Sequence, residues 1–114
     1  MTDAIAPLSS PLAVDSEVTQ HIQAIVARVQ RAQQTLTGAR AADPALKDSF
    51  AAAMKRTAAV RGRGPIMPYL GTGLGNGPLV ELLEGSVKWD MLNGIGVHMF
   101  GHSDPRMTAA ALRA

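Results

Sequence analysis

Three groups of residues in this chain have the types and spacing that chemistry can use. The first is the run LGTGLGNGP, which sets glycines at the alternate positions Gly71, Gly73, Gly75 and Gly77. Glycine-rich loops cradle phosphates when a strand precedes them and a helix N-terminus follows, because the exposed N–H groups and the helix dipole both face the anion. Here a proline-rich stretch precedes the run, and Pro78 with strand-like residues follows it. The pattern is G-x-G-x-G-x-G rather than G-x-G-x-x-G, and no Lys-Ser/Thr pair follows as a Walker loop requires. These residues read as a pliable approach to a hairpin.

The second group is His98, His102 and Asp104, metal-ligand types close together in sequence. Two histidines four apart share a face only if the segment is helical. Gly101 and the lack of helical periodicity argue for a loop, where His102 orders the turn before the last helix by hydrogen bonding. His21 reads as a helix-surface residue. The third group is the basic cluster Lys55, Arg56, Arg61 and Arg63, which could contact phosphates. It also sits at a helix C-terminus, where the macrodipole favours positive charge, and no aromatic residues interleave with it. No nucleophile and base can be paired: cysteine is absent, the serines lack a nucleophile-elbow context, and Lys47, Lys55 and Lys88 lie in exposed patterns.

The elements that must position these groups follow from periodicity and caps. The 114 residues suffice for one small domain with a core. The core is expected to be thin, since alanine and glycine supply much of the apolar count. The net charge of +2 names no partner. No apolar run approaches the length of a membrane span, and no basic n-region of a signal peptide opens the chain, so a soluble cytoplasmic protein is expected.

Residues 1–14 read as a flexible leader. Residues 15–62 read as a two-helix region. Val18, Ile22, Ile25, Val26, Val29, Ala32 and Leu36 recur at helical spacing, with Asp15 or Ser16 as N-cap and Gly38 as the stop. Asp43-Pro44 opens a second helix whose stripe is Leu46, Phe50, Met54 and Ala58, ended by Gly62. The short link predicts antiparallel pairing of the two.

Residues 63–114 read as a Gly/Pro-rich loop, a β-hairpin and the start of a helix. The hairpin LVELLEGSVKW turns on Glu84-Gly85, setting Leu82 opposite Val87, Glu81 opposite Lys88 and Val80 opposite Trp89. NGIGVHMFGH follows as a glycine-interrupted apolar loop. Ser103 or Asp104 then caps a helix with Pro105 in its first turn, which runs to the last residue without a stop signal.

The segment GSVKWDMLNGIGVHMFGHSDP, from Gly85 to Pro105, resembles the early part of class III pyridoxal-phosphate aminotransferases of the ornithine and acetylornithine type. That family carries a hairpin whose second strand reads roughly G-x-x-[YW]-x-D-F, then G-I-x-V, then G-H-x-H-P and a helix. Gly85, Asp90, Gly94-Ile95-Gly96-Val97, Gly101-His102 and Pro105 match in order. Trp89 stands where the family has an aliphatic residue, and Asp104 replaces its second histidine. The match covers about a fifth of the chain.

The resemblance implies an α+β piece from the N-terminal part of a fold type I α/β enzyme, with pyridoxal 5'-phosphate as cofactor. It implies a homodimer that moves an amino group between an amino acid or amine and a 2-oxo acid, with no nucleic-acid or membrane partner. Ile95, Gly96 and Val97 would then help shape the substrate pocket, and Gly94, Gly101 and His102 would form the structural turn. The family's cofactor-holding residues lie downstream of the matched segment, so the 114 residues alone are expected to be inactive. The competing reading is a small helical interaction module whose basic helix end binds a partner, or nucleic acid weakly.

Overall fold

The computed structural model describes residues 10–114, with the side chain of Ser10 left aside. Most of the expected leader therefore lies outside the described residues. Its last part is helical: α1 (Ser10–Val14) precedes α2 (Ser16–Gln33), and Asp15 between them caps α2 by accepting from the N–H groups of Glu17 and Val18. A 3-10 turn (Pro44–Leu46) leads into α3 (Lys47–Arg61). Strands β1 (Gly71–Asn76), β2 (Leu79–Leu82) and β3 (Val87–Trp89) follow. A four-residue turn, α4 (Asn93–Gly96), and the helix α5 (Pro105–Arg113) follow, so that the described residues form a small α+β domain with a three-stranded antiparallel sheet ordered β1-β2-β3.

The local signals hold where a side chain can satisfy a nearby backbone group. Asp43 accepts from the N–H of Ala45 with Pro44 in the first turn, and Gly62 ends α3 at φ +71. Asp104 caps α5 through the N–H groups of Arg106 and Met107.

Four expectations need correction. Helix α2 stops at Gln33 rather than running to Gly38, because the chain turns there and drives Leu36 into the core at 2 % exposure. Helices α2 and α3 do not form a helical hairpin. The linker between them runs beside β3, where Arg40 exchanges two 3.0 Å backbone hydrogen bonds with Val87, and α3 buries no residue. The glycine run is a strand rather than a pliable lead-in, pairing Gly75 with Val80 and Asn76 with Leu79. Gly73, at φ +91, lies in the irregular stretch of that pairing.

The hairpin register is the fourth correction. Leu79 faces Trp89, Val80 faces Lys88 and Glu81 faces Val87, one residue away from expectation. The connection holds three residues, Leu83 to Gly85, closed by Leu82 N–H on the Ser86 carbonyl at 2.9 Å. Gly85 takes the left-handed position (φ +79) that such a loop requires. This register puts Leu79 and Val87 together with Leu36 in the core, with Leu74 packed against them. Glu81 pairs with Arg40 at 2.8 Å instead of meeting Lys88.

The core is as thin as the composition implies: Ile22, Leu36, Leu79, Leu82 and Val87 are its buried hydrophobic residues among those described. The chain is correspondingly drawn out. Its radius of gyration is 18.4 Å, against about 13 Å for a globule of this length.

Candidate functional site

The richest polar arrangement gathers where β3 ends. The Asp90 N–H donates to the Pro78 carbonyl at 2.7 Å, so the residue is fixed against the β1–β2 connection. Its carboxylate then accepts three hydrogen bonds. Oδ1 takes the Leu92 N–H at 3.0 Å, and Oδ2 takes the Gly94 N–H and His102 Nε2, each at 2.8 Å. Both side chains of the Asp90–His102 pair are largely shielded, with 17 % and 13 % exposure. Burial by itself would raise the Asp90 carboxyl, but the bonds from His102, Leu92 and Gly94 and the charge of His102 outweigh it and hold it below the ordinary value.

Glycines let the backbone close around this pair. The His102 N–H donates to the Gly77 carbonyl at 2.8 Å. A Cβ at Gly101 would stand 2.8 Å from the Gly77 Cα. A Cβ at Gly75 would collide with the His102 Cβ and stand 2.5 Å from the Leu79 carbonyl oxygen. The Gly75 N–H donates to the Ser103 hydroxyl at 3.0 Å. So β1 must be glycine here to admit the His102-Ser103 corner, a role of which the alternating run gives no sign.

The sequence-predicted residues fall into two sets. Gly94, Gly101 and His102 come together in the knot, where His102 bonds the Asp90 carboxylate and the Gly77 carbonyl just before α5. Ile95, Gly96 and Val97 lie on α4 and beyond it, exposed, with Ile95 at 90 %. His98, His102 and Asp104 do not converge. The His98 ring lies against that of His102, tilted by 34° with centroids 4.1 Å apart. Asp104 turns away to cap α5 and to bond the Arg106 guanidinium, and that bond, opposed by desolvation and aided by the helix N–H groups, lowers its carboxyl. Among the described residues no group of three or more His, Cys, Asp or Glu side chains could hold a metal ion. Lys55, Arg56, Arg61 and Arg63 are all exposed around the end of α3, and His21 is exposed on α2.

Beside the knot lies a cleft of about 500 Å³, floored by Val80 and Leu82 and walled by Met67, Tyr69, Trp89 and Ile95. Lys88, Asp90 and His102 also line it. The surface around it is apolar and open: Met91, Leu92, Val97, Met99 and Phe100 are each more than half exposed. Monomers rarely leave contiguous apolar patches larger than a few hundred Å² uncovered.

The residues present do not fit pyridoxal phosphate. Lys88 is the lysine that lines the cleft, but the Asp90 carboxylate is engaged by three donors of the knot itself, and no second lysine or arginine lines the cleft among the described residues. Gly71, Gly73 and Gly75 of the alternating run lie in β1 and Gly77 in the connection to β2, so a strand and not a helix N-terminus follows them.

Sequence reasoning missed the role of Asp90, although a signal for it exists. An Asp followed two residues later by an N–H it can cap, then Asn-Gly, is a turn signature. No family model, curated protein or solved structure matches the chain. No described helix is long and apolar enough to cross a membrane.

Proposed function

We propose that the chain is the N-terminal part of a class III pyridoxal-phosphate aminotransferase, which exchanges an amino group between an amino acid or amine and a 2-oxo acid. One observation supports this reading most. The two ends of the matched motif, Gly94-Ile95-Gly96-Val97 and Gly101-His102, close on Asp90 and leave Ile95 and Val97 projecting at 90 % and 74 % exposure over an apolar face. A loop that frames a substrate without attacking it needs that geometry: a rigid base and outward apolar side chains. The apolar surface around it suits coverage by further parts of a larger homodimeric enzyme.

On this reading the cofactor supplies the electron sink when bound, and the groups that hold it belong to residues outside these 114. This chain contributes shape, through the fixed turn, and exclusion of water, through its apolar face. Alone it is inactive.

The deciding experiment reads the coding frame downstream of Ala114. The proposal requires it to continue to a lysine preceded by an apolar strand; a stop codon with no such continuation sinks it. Adding pyridoxal phosphate to the 114-residue protein is expected to give no saturable absorbance change, and a saturable one would overturn the placement of the cofactor lysine elsewhere.

A second reading, a helical interaction module, draws on α3, which carries its basic residues exposed and buries nothing. It requires a self-sufficient fold. A sharp thermal transition together with salt-sensitive retention on nucleic acid would favour it.

A further inference from the structure

The turn α4 is wound the wrong way for L-residues. Asn93, Gly94, Ile95 and Gly96 have φ of +48, +57, +60 and +84. Glycine accepts this freely and asparagine tolerates it, but a β-branched residue in the left-handed region is an outlier that its surroundings must enforce. Burial of Ile95 cannot be the enforcing term, since its side chain is 90 % exposed. The turn's own bonds are few: Ile95 N–H to the Leu92 carbonyl at 2.9 Å, Gly96 N–H to the same carbonyl at 3.3 Å, and His98 N–H to the Asn93 carbonyl at 2.9 Å.

What brackets the turn is one carboxylate. Asp90 holds the Leu92 N–H just before it and the Gly94 N–H within it, and its third bond runs to His102, itself anchored on the Gly77 carbonyl. The His98 ring, tilted against that of His102, crowds Gly94: a Cβ there would stand 2.7 Å from the His98 Cδ2. The turn is thus tied at once to the end of β3 and to the β1–β2 connection.

We infer that Asp90 is a positioning residue: with His102 it forces the left-handed turn and so fixes where Ile95 stands at the mouth of the cleft. That Ile95 faces substrate rests on the aminotransferase reading; the forcing of the turn rests on the distances alone.

The test uses amide hydrogen exchange of the 114-residue protein, with neither cofactor nor substrate, so it can fail while the aminotransferase reading stands, and the reverse. In Asp90→Asn an NH2 group or a lost acceptor meets donors that need an oxygen. Exchange at Gly94 and Ile95 is expected to rise about tenfold or more, the loss of one charge-assisted bond. The amides of Leu82 and Val87, bonded to Ser86 and Arg40, are expected to change far less. Ile95→Asn eases one left-handed residue and is expected to slow turn exchange about threefold in the wild-type background, with no effect in Asp90→Asn, where nothing forces the turn. An unchanged Gly94 rate in Asp90→Asn, or the same Ile95→Asn effect in both backgrounds, overturns the proposal. Should Asp90→Asn unfold the sheet as well, His102→Phe keeps an aromatic ring beside His98 and the backbone bond to Gly77, and removes the bond to Asp90. Faster exchange confined to the turn in that variant supports the proposal, and an unchanged turn overturns it.

Discussion

Helix α3 and the knot at the end of β3 are opposites. Helix α3 is the better specified locally: Asp43 and Pro44 open the 3-10 turn that leads into it, Gly62 closes it, and its stripe is regular, yet none of its residues is buried. The knot has almost no regular structure and is rich in glycine, yet it joins β1, β3, α4 and the approach to α5 through bonds that span up to 28 positions of sequence. Caps and periodicity therefore signal that a helix forms nearby, not how far it runs. They do not fix whether it matters to the fold, which depends on long-range bonds and burial.

That contrast can be broken by substitution. The largest effect is expected at Gly75→Ala, where the new Cβ meets His102 and the Leu79 carbonyl, with no flexible side-chain end to yield. A loss of about 3 kcal/mol or more in urea unfolding is expected, since overpacking against backbone is the costly kind. A near-neutral result would mean that β1 and the His102 corner are not held together. Next comes Leu79→Ala in the core, at about 2–4 kcal/mol. Phe50→Ala on α3 is its control, expected to leave the sheet's unfolding midpoint within about 1 kcal/mol. Equal losses at the two sites would erase the distinction between the regions.

Acid supplies the third test. The folded Asp90 carboxyl titrates below its unfolded value. Its stabilisation is therefore complete above the unfolded pKa of about 3.9 and is lost as pH falls through the folded one. The stability gap between wild type and Asp90→Asn is expected to be full at about pH 6 and to shrink towards about pH 2. A gap independent of pH would show that the carboxylate charge is not what holds the turn. The smallest effect is expected at Gly62→Ala, where a side chain must adopt φ +71 in open space. About 1 kcal/mol is expected, seen as fraying of α3 by far-UV circular dichroism with the Trp89 fluorescence transition unmoved.

Much of the helical layout is legible in the amino-acid sequence, and the strand layout only in part. Alternation and turn residues predict the hairpin, but on a two-residue turn. The choice of three residues rests on Gly85 taking φ +79 and on Leu79 and Val87 reaching Leu36, 43 and 51 positions away, which no local pattern encodes. Of the candidate site, Gly94, Gly101 and His102 are picked out by their motif. Asp90 is visible as part of the motif but not as its centre, because its three partners meet only when the chain folds back.

By itself the sequence determined the start of α2 at Asp15, the turn at Asp43-Pro44 that leads into α3, the end of α3 at Gly62 and the start of α5 at Asp104-Pro105. In each case a side chain or a glycine settles backbone groups within three residues, so distant parts of the chain have no vote. Only the tertiary structure decided that the alternating glycines form a strand, that α2 stops early to bury Leu36, and that Ile95 stands in a left-handed turn. Those outcomes depend on what crosses β1, what fills the core and what the Asp90 carboxylate binds. Each of these is a contact between residues that composition and spacing leave apart.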